Sequence, residues 1–291
     1  MSEQTVDFCI DKVQFQLREE HEFSWLKELG EVFSVFYQQD SGNLSFGVEK
    51  DGKKRFVKYA GARTLEYKGN PQEAITRLKE AIHLYEELEH PYLIKIEEHF
   101  EVKNGYVAVF EWFEGECLHS HWNFPPPHKY THPDSPYYKF RKMPLEKRYK
   151  ALDSIYKFHA HVEKKGYVAI DFYDGSILYD FDRNETKICD IDLYHKKPYI
   201  NTIGRMWGSS KIMSPEEFIM GASIDERSNV FNMGAMSFIL LGGERDRAFE
   251  KWEGDKDLFE IVTKAINPDR EQRFKSVSEL YSIWCEYISN R

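Results

Sequence analysis

The sequence predicts an α+β protein built in two lobes, and three observations support this. Its 291 residues, 41% of them hydrophobic, exceed the size that one hydrophobic core usually serves, so two lobes are expected. An Asp51-Gly52 turn predicts a β-hairpin in the first half of the chain. Apolar residues recur at helical spacing between Ile75 and Leu88, which predicts an amphipathic helix after that hairpin.

A second predicted hairpin carries or adjoins the residues that indicate a catalytic site. The apolar run from Ser176 to Tyr179 returns through the polar turn 182–185 to another apolar run that ends at Asp190. Asp171 lies just before this hairpin, so two carboxylates fall on neighbouring segments. One carboxylate can hold Mg²⁺ on nucleotide phosphates while the other accepts a hydrogen bond from an attacking hydroxyl.

Later motifs strengthen this interpretation by their order. They are Ser-Pro-Glu at 214–216, Ser-Asn-Val-Phe-Asn-Met-Gly at 228–234 followed by Phe-Ile-Leu-Leu-Gly at 238–242, and Asn-Pro-Asp-Arg-Glu-Gln-Arg-Phe at 267–274. Together they resemble the protein kinase superfamily over nearly the whole chain, with Asp171 as the catalytic carboxylate and Asp190 as a metal ligand. The resemblance implies that Arg273 pairs with Glu216, since a buried carboxylate needs a bidentate partner.

The first half of the chain fits the same resemblance. Lys58 follows the Asp51-Gly52 turn, where the family keeps the lysine that holds the nucleotide phosphates. Adenine would meet backbone groups of Glu111 and Phe113. In the phosphate-covering loop, at 37–44, only Gly42 matches a family glycine; an alternative register that begins at Gly30 would place the loop too far from Lys58 for two short strands. The acidic partner of Lys58 is expected at Glu80, with Glu73 as the alternative.

The resemblance implies a two-lobed protein kinase-like fold with a β-rich N-lobe and a mostly helical C-lobe. Residues 1–30 are predicted to form an N-terminal extension packed on the N-lobe, residues 31–113 the N-lobe, and residues 114–291 the C-lobe. ATP is expected in the cleft between the lobes with Mg²⁺ or Mn²⁺.

Several positions depart from the family pattern. Ala169 and Ile170 replace its His and Arg, and Tyr173 replaces a lysine that neutralises the transferred phosphoryl group. Ser176 stands for the metal-binding Asn, and a serine hydroxyl can still ligate Mg²⁺. Asp192 replaces a glycine and adds a potential metal ligand. The predicted metal set is therefore Asp190, Ser176 and Asp192.

Composition excludes some classes of function. The formal net charge of −9 disfavours nonspecific nucleic-acid binding. The four cysteines are far apart and form no disulfide or metal pattern. No signal peptide or long apolar stretch is evident, which predicts a cytoplasmic protein with no membrane span.

Residues 117–133 form a segment rich in His and Pro that lies outside the family pattern. Four histidines and a cysteine could make a zinc site, but the proline run favours an exposed extended loop. Such a loop could help to select the acceptor without carrying chemistry.

Three functions are therefore considered. The favoured one is a divergent ATP-dependent phosphotransferase that acts on a protein Ser or Thr hydroxyl. The second is a pseudokinase, a binding or scaffold protein that lost phosphate handling. The third is a small-molecule kinase similar to the aminoglycoside phosphotransferases, suggested by the missing catalytic-loop lysine and by Asp192.

Overall fold

The computed structural model describes residues 5–120 and 122–290, and the protein is α+β. The chain divides into two compact units. Unit 1 runs to Glu89 and includes Ile94–Phe113, and unit 2 comprises His90–Leu93 and the chain from Glu114 onward. No helix within the described ranges is both long enough and apolar enough to cross a membrane.

Unit 1 is mainly β-structure. Its elements, in chain order, are β1 (Val6–Ile10), β2 (Val13–Leu17), α1 (Leu26–Leu29), β3 (Glu31–Phe36), β4 (Asn43–Lys50), β5 (Lys53–Ala60), α2 (Pro71–Glu87), β6 (Ile96–Val102) and β7 (Gly105–Glu111). Strands β3 to β7 form a five-stranded antiparallel sheet in the order β3-β4-β5-β7-β6. The turn between β4 and β5 pairs Lys50 with Lys53, which confirms the predicted Asp51-Gly52 hairpin.

The N-terminal segment belongs to the core of unit 1. Strands β1 and β2 form a separate hairpin, and their inward side chains join α1 and one face of the sheet in a single apolar cluster. Phe15 and Phe23 contact Phe46 edge-to-face, at ring distances of 6.2 and 5.6 Å. Gly30, between α1 and β3, has a φ of +133°, and a Cβ there would lie 2.3 Å from the carbonyl oxygen of Glu49. Gly30 is therefore required by strand packing.

Unit 2 is mainly helical. Its elements, in chain order, are β8 (Glu116–Cys117), α3 (His128–Thr131), α4 (Pro136–Arg141), α5 (Leu145–Lys164), β9 (Tyr167–Val168), β10 (Ile177–Asp180), β11 (Glu185–Ile188), β12 (His195–Lys196), β13 (Tyr199–Ile200), β14 (Ser223–Ile224), α6 (Glu226–Leu241), α7 (Lys256–Ala265) and α8 (Val277–Ser289). Helix α6 is buried almost all round, as expected for a central helix. Trp284 of α8 is also buried, and its indole donates to Asp153 of α5.

Unit 2 contains a buried ion pair between Glu216 and Arg273. Arg273 donates to both carboxylate oxygens of Glu216, at 2.7 and 3.0 Å, which confirms the pair predicted from the sequence. Ser228 donates a third hydrogen bond to Glu216 at 2.7 Å. Burial would raise the pKa of Glu216, but the Arg273 guanidinium outweighs burial and holds this pKa below its usual range. Glu216 therefore stays charged inside the unit.

The neighbouring Glu217 is in a different environment. Its carboxylate accepts from the backbone N–H and hydroxyl of Ser214, at 2.6 and 2.8 Å, and from the Asn232 amide at 3.1 Å. Burial, aided by the charge of Glu216, raises the pKa of Glu217 to about 7 although these hydrogen bonds lower it. The carboxyl group thus changes charge near neutral pH.

Glu217→Gln is expected to remove part of the pH dependence of stability. The folded-state pKa of about 7 exceeds the ordinary value of 4.5, so this group's contribution is complete below pH 4.5 and is lost as pH rises through 7. The loss amounts to about 3 kcal/mol in the wild type and is absent in the variant. Urea unfolding of both proteins between pH 5 and pH 8 measures it. Parallel pH profiles would contradict the assignment.

Candidate active site

Asp171 lies in a loop that the surrounding backbone holds in an uncommon conformation. Its φ is +63°, in the left-handed region that few residues other than glycine adopt. Asn229 of α6 braces the start of this loop by accepting from Ala169 N–H at 2.8 Å and donating to the Tyr167 carbonyl at 3.2 Å. A Cβ added to Gly208 would lie 3.4 Å from Asp171 Oδ1, so the later segment passes directly over the carboxylate.

The β10–β11 hairpin brings Ser176 beside the residue that precedes Asp190. Ile177 pairs with Ile188, and Cys189 N–H donates to the Ser176 carbonyl at 3.0 Å. The Ser176 side chain is buried, and its hydroxyl has no hydrogen-bond partner in the described part of the chain. A buried hydroxyl without a partner destabilises the protein, which makes it a candidate for a ligand contact. Asp190 follows β11 and is exposed.

A half-buried tyrosine, Tyr173, and a buried one, Tyr194, are both affected by the charges of Asp171 and Asp190. Burial raises the pKa of Tyr173, and the negative charges of Asp190 and Asp171 raise it further. The pKa of Tyr194 is raised by the same three causes in the same order. Because each tyrosine senses both carboxylates, the hairpin and the Asp171 loop converge on one acidic region.

His159 supports this region from helix α5, and sequence reasoning missed it. The ring is fully buried, its Nε2 lies 2.8 Å from the hydroxyl of Tyr194, and its ring centroid lies 4.2 Å from that of Phe172. Burial lowers the pKa of His159 to about 3, so the ring is neutral. The sequence could have predicted its burial, because His159 lies at helical spacing from the apolar residues Leu152, Ile155 and Val162 of α5.

A buried ionic cluster also lies on the loop. Asp174 begins a short 3₁₀ turn that ends at Ser176, and its carboxylate accepts from Lys129 Nζ at 2.5 Å. The Nδ1 atom of His119 lies 3.2 Å from the other oxygen of Asp174 and 2.6 Å from Lys129 Nζ. Burial would raise the pKa of Asp174, but the His119 hydrogen bond and the Lys129 charge together lower it. We name these three residues the ionic cluster.

The expectation of an exposed loop at 117–133 is wrong for part of that segment. Lys129 is only 3% exposed and Leu118 is 1% exposed, and residues 128–131 form helix α3. His121 lies outside the described residues. Among the described residues, no group of three or more His, Cys, Asp and Glu side chains is arranged to hold a metal ion, so the structure gives no support to the zinc alternative.

Lys58 lies at the centre of unit 1. It pairs with Ser45 of β4 on one side and Ala108 of β7 on the other, so it is not an edge residue. Its neighbours Val57 and Tyr59 point into the apolar cluster with the N-terminal segment. Since side chains alternate along a strand, Lys58 points to the opposite face, where α2 packs on the sheet.

The carboxylates proposed as partners of Lys58 are both exposed on α2. The buried face of this helix consists of alanines, leucines, an isoleucine and a tyrosine, and Ala81 is one of them. Glu80 points away from that face, and Glu73 accepts from the hydroxyl of Tyr67 at 3.4 Å. The pairing of Lys58 with Glu80 or Glu73 stays a prediction.

The loop between β3 and β4 contains Gly42, the one glycine predicted to approach phosphate. Its φ is +81°, and a Cβ there would meet the ring of Tyr67 at 2.6 Å. Arg77 of α2 stacks on that ring, with 5.8 Å between its guanidinium carbon and the ring centroid, and donates to the Ser41 carbonyl. Within unit 1, the Tyr67 ring leaves no room for a side chain at position 42, so packing alone explains the glycine there.

Glu111 ends β7, and Phe113, two residues later, is half-buried. The Glu111 N–H donates to the Lys95 carbonyl at 2.9 Å, and its side chain accepts from Lys95 N–H at 3.1 Å. An adenine at this position would therefore have to contact the Glu111 carbonyl and the backbone of Phe113.

The oxygens available in unit 2 are of the kind that Mg²⁺ or Mn²⁺ takes together with phosphates, and a metal site there stays a prediction. Mg²⁺ commonly takes one or two protein oxygens and completes its shell with substrate phosphates and water. Asp190 supplies an exposed carboxylate and Ser176 an unpartnered buried hydroxyl. Asp192 is half-buried in the turn after Asp190, and its place in the metal set stays a prediction.

Comparison of the chain with protein-family models and with curated proteins gives no match, so a proposal about its function depends on the chain's own residues.

Proposed function

We propose that this chain is a divergent ATP-dependent phosphotransferase of the protein kinase kind, which transfers the γ-phosphate of ATP to a Ser or Thr hydroxyl of a protein. The observation that carries the proposal is that the charges of Asp171 and Asp190 both act on the half-buried Tyr173 and on the buried Tyr194. The left-handed backbone at Asp171 adds support, because strained conformations concentrate at functional sites.

The two carboxylates have different roles in this proposal. Asp171 accepts a hydrogen bond from the acceptor hydroxyl and orients its oxygen for attack. Asp190 and the Ser176 hydroxyl, with Asp192, hold the metal. Mg²⁺ or Mn²⁺, when bound, neutralises charge on the phosphate oxygens. Within unit 1, Lys58 is the candidate cation for the nucleotide phosphates.

A polypeptide acceptor is favoured over a small molecule by the surface of the segment that follows Asp190. Large apolar side chains are exposed on and beside this segment, including Trp207 at 64% and Met220 at 69%. Such side chains suit the apolar side chains of a peptide better than a polar sugar. The Glu216–Arg273 pair fixes the end of the same segment.

The pseudokinase is the second candidate, and the contact of Tyr67 with Gly42 favours it. An aromatic ring against the only matching glycine leaves the loop less able to bring its backbone close to phosphate. Nucleotide binding and phosphate transfer therefore have to be measured separately.

The deciding experiment is thermal denaturation with ATP, with and without Mg²⁺ or Mn²⁺. We expect ATP to raise the melting temperature of the wild type, and metal to enlarge the shift because it offsets repulsion between phosphates and carboxylates. Asp190→Ala should lose the metal-dependent part. Asp182→Ala, at an exposed position in the turn of the same hairpin, is the matched control and should behave as wild type. No shift with ATP at millimolar concentration under any condition would refute the phosphotransferase and a nucleotide-binding pseudokinase, and would leave only a scaffold that does not bind nucleotide.

Ser176→Ala is expected to have opposite effects on the free and the nucleotide-bound protein. Removal of a buried hydroxyl without a partner should stabilise the free protein by about 1 kcal/mol. Loss of a metal ligand should weaken the metal dependence of the ATP-induced shift. Urea unfolding and metal titrations measure the two effects. If metal dependence is unchanged, Ser176 is not a ligand.

A further inference from the structure

The ionic cluster of Lys129, His119 and Asp174 is attached to the loop that carries the proposed chemistry. Asp174 lies three residues after Asp171 and two before Ser176, in the turn that joins them. Cys117 donates to the Gly175 carbonyl at 3.3 Å, which adds a second tie from the His- and Pro-rich segment. The position of this turn therefore depends on contacts made by Cys117, His119 and Lys129.

Lys129 is held firmly at this place. Its carbonyl accepts from the Ser135 hydroxyl at 2.7 Å, which fixes helix α3 against the start of α4. Its ammonium lies 4.6 Å from the ring centroid of Tyr137, a cation–π contact. The exposed fractions of the Lys129 and Asp174 side chains are 4% and 5%. A lysine that loses its hydration in this way needs a compensating carboxylate.

The positive charge of Lys129 lies in a region that also contains the negative charges of three carboxylates. The charges of Asp190, Asp171 and Asp174 all raise the pKa of Tyr173. Of the three, Asp174 is the buried one, and a buried charge needs a compensating partner. The ammonium of Lys129 neutralises Asp174.

A buried pair of this kind is weak evidence for stability alone. The desolvation of two charges can equal or exceed their attraction, so an apolar pair would serve stability as well. The pair instead fixes the position of Asp174. Because Asp174 lies in the turn between Asp171 and Ser176, the positions of those two residues are fixed with it.

We propose that Lys129 is a positioning residue for the phosphate transfer: it neutralises Asp174 and thereby holds Asp171 and Ser176 in their working positions. This inference rests on the proposed function. Lys129 acts through Asp174 and need not touch the nucleotide. His119 contacts both members of the pair and, through a ring contact of 5.8 Å, Tyr173.

The test compares Lys129→Met, Asp174→Asn and the double variant with the wild type. Phosphate transfer from ATP to casein is measured at 15 °C, where the variants are first shown to be folded by circular dichroism. The metal dependence of the ATP-induced melting shift is the second readout. Lys139→Met is the matched control, because Lys139 pairs with Glu116 at the same distance of 2.5 Å on a partly exposed surface.

We expect Lys129→Met to lower kcat by about 30-fold or more with little change in KM for ATP, since misplaced groups impair the reacting geometry. It should also weaken the metal dependence of the shift, because Ser176 moves with the turn. The double variant should regain most of both, since no unpaired buried charge is left. Lys139→Met should match the wild type.

Three results would overturn the inference. A kcat for folded Lys129→Met within about threefold of wild type would show that the cluster does not position the loop. A double variant as impaired as Lys129→Met would show that neutralisation of Asp174 is not its role. A wild type with neither nucleotide-induced shift nor transfer would refute the proposed function and, with it, this inference.

Discussion

Arg273→Ala is expected to destabilise unit 2 by about 3 to 5 kcal/mol, because it leaves the buried Glu216 carboxylate without its counter-ion. The side chain of Arg273 is fully buried, and its guanidinium also donates to the carbonyls of Asn267 and Arg227, at 2.7 and 2.9 Å. These acceptors lose their donors in the same variant. A loss of this size is a large part of the 5 to 15 kcal/mol that typically stabilises a folded domain.

Urea unfolding measures this loss, and two variants make it specific. Glu216→Gln combined with Arg273→Ala should be less destabilised than the sum of the single variants, because neither leaves an unpaired charge in the presence of the other. Arg183→Ala removes an exposed arginine 3.9 Å from Asp180 and should change stability by less than about 1 kcal/mol. An equally small loss in Arg273→Ala would contradict the argument.

Asp171→Asn is expected to lower phosphate transfer by about 10² to 10⁴-fold, since a neutral amide is a poor acceptor for the proton of an attacking hydroxyl. Asparagine tolerates the left-handed backbone and keeps nearly the same shape, so the fold should be preserved. The ATP-induced melting shift should also be preserved, because Asp171 is assigned to the acceptor and Asp190 to the metal.

The contrast with Asp190→Ala decides the assignment. That variant should lose metal-dependent nucleotide binding, whereas Asp171→Asn should retain it. Transfer is measured with radiolabelled ATP, and binding by the melting shift. If both variants lose nucleotide binding equally, the two carboxylates do not have the separate roles proposed.

Local patterns predicted the features that local physics determines. The Asp51-Gly52 turn set the register of β4 and β5, because φ is positive at both residues, and so it placed Lys58 on a central strand. Arg273 and Glu216 were predicted as a pair because a motif of known order linked them across 57 residues. The kinase resemblance itself remains a prediction.

Tertiary packing determined what the sequence did not predict. Lys129 is separated from Asp174 by 45 residues, and its neighbours are prolines and histidines that usually indicate exposure. Lys129 reaches Asp174 of the loop only because helix α3 is packed in the interior of unit 2. Gly42 is similar, since the Tyr67 ring that fills the space beside it is brought there by a loop with no pattern of its own.

The left-handed backbone of Asp171 has a practical consequence for screening variants of this protein. Glycine is the residue best suited to a φ of +63°, so Asp171→Gly should relieve backbone strain and raise stability by up to about 1 kcal/mol. The same change removes the carboxylate that, in the proposed reaction, orients the acceptor hydroxyl. A selection for thermal tolerance or soluble expression would therefore enrich an inactive protein at this position, and only an assay that follows the phosphate itself would detect the loss.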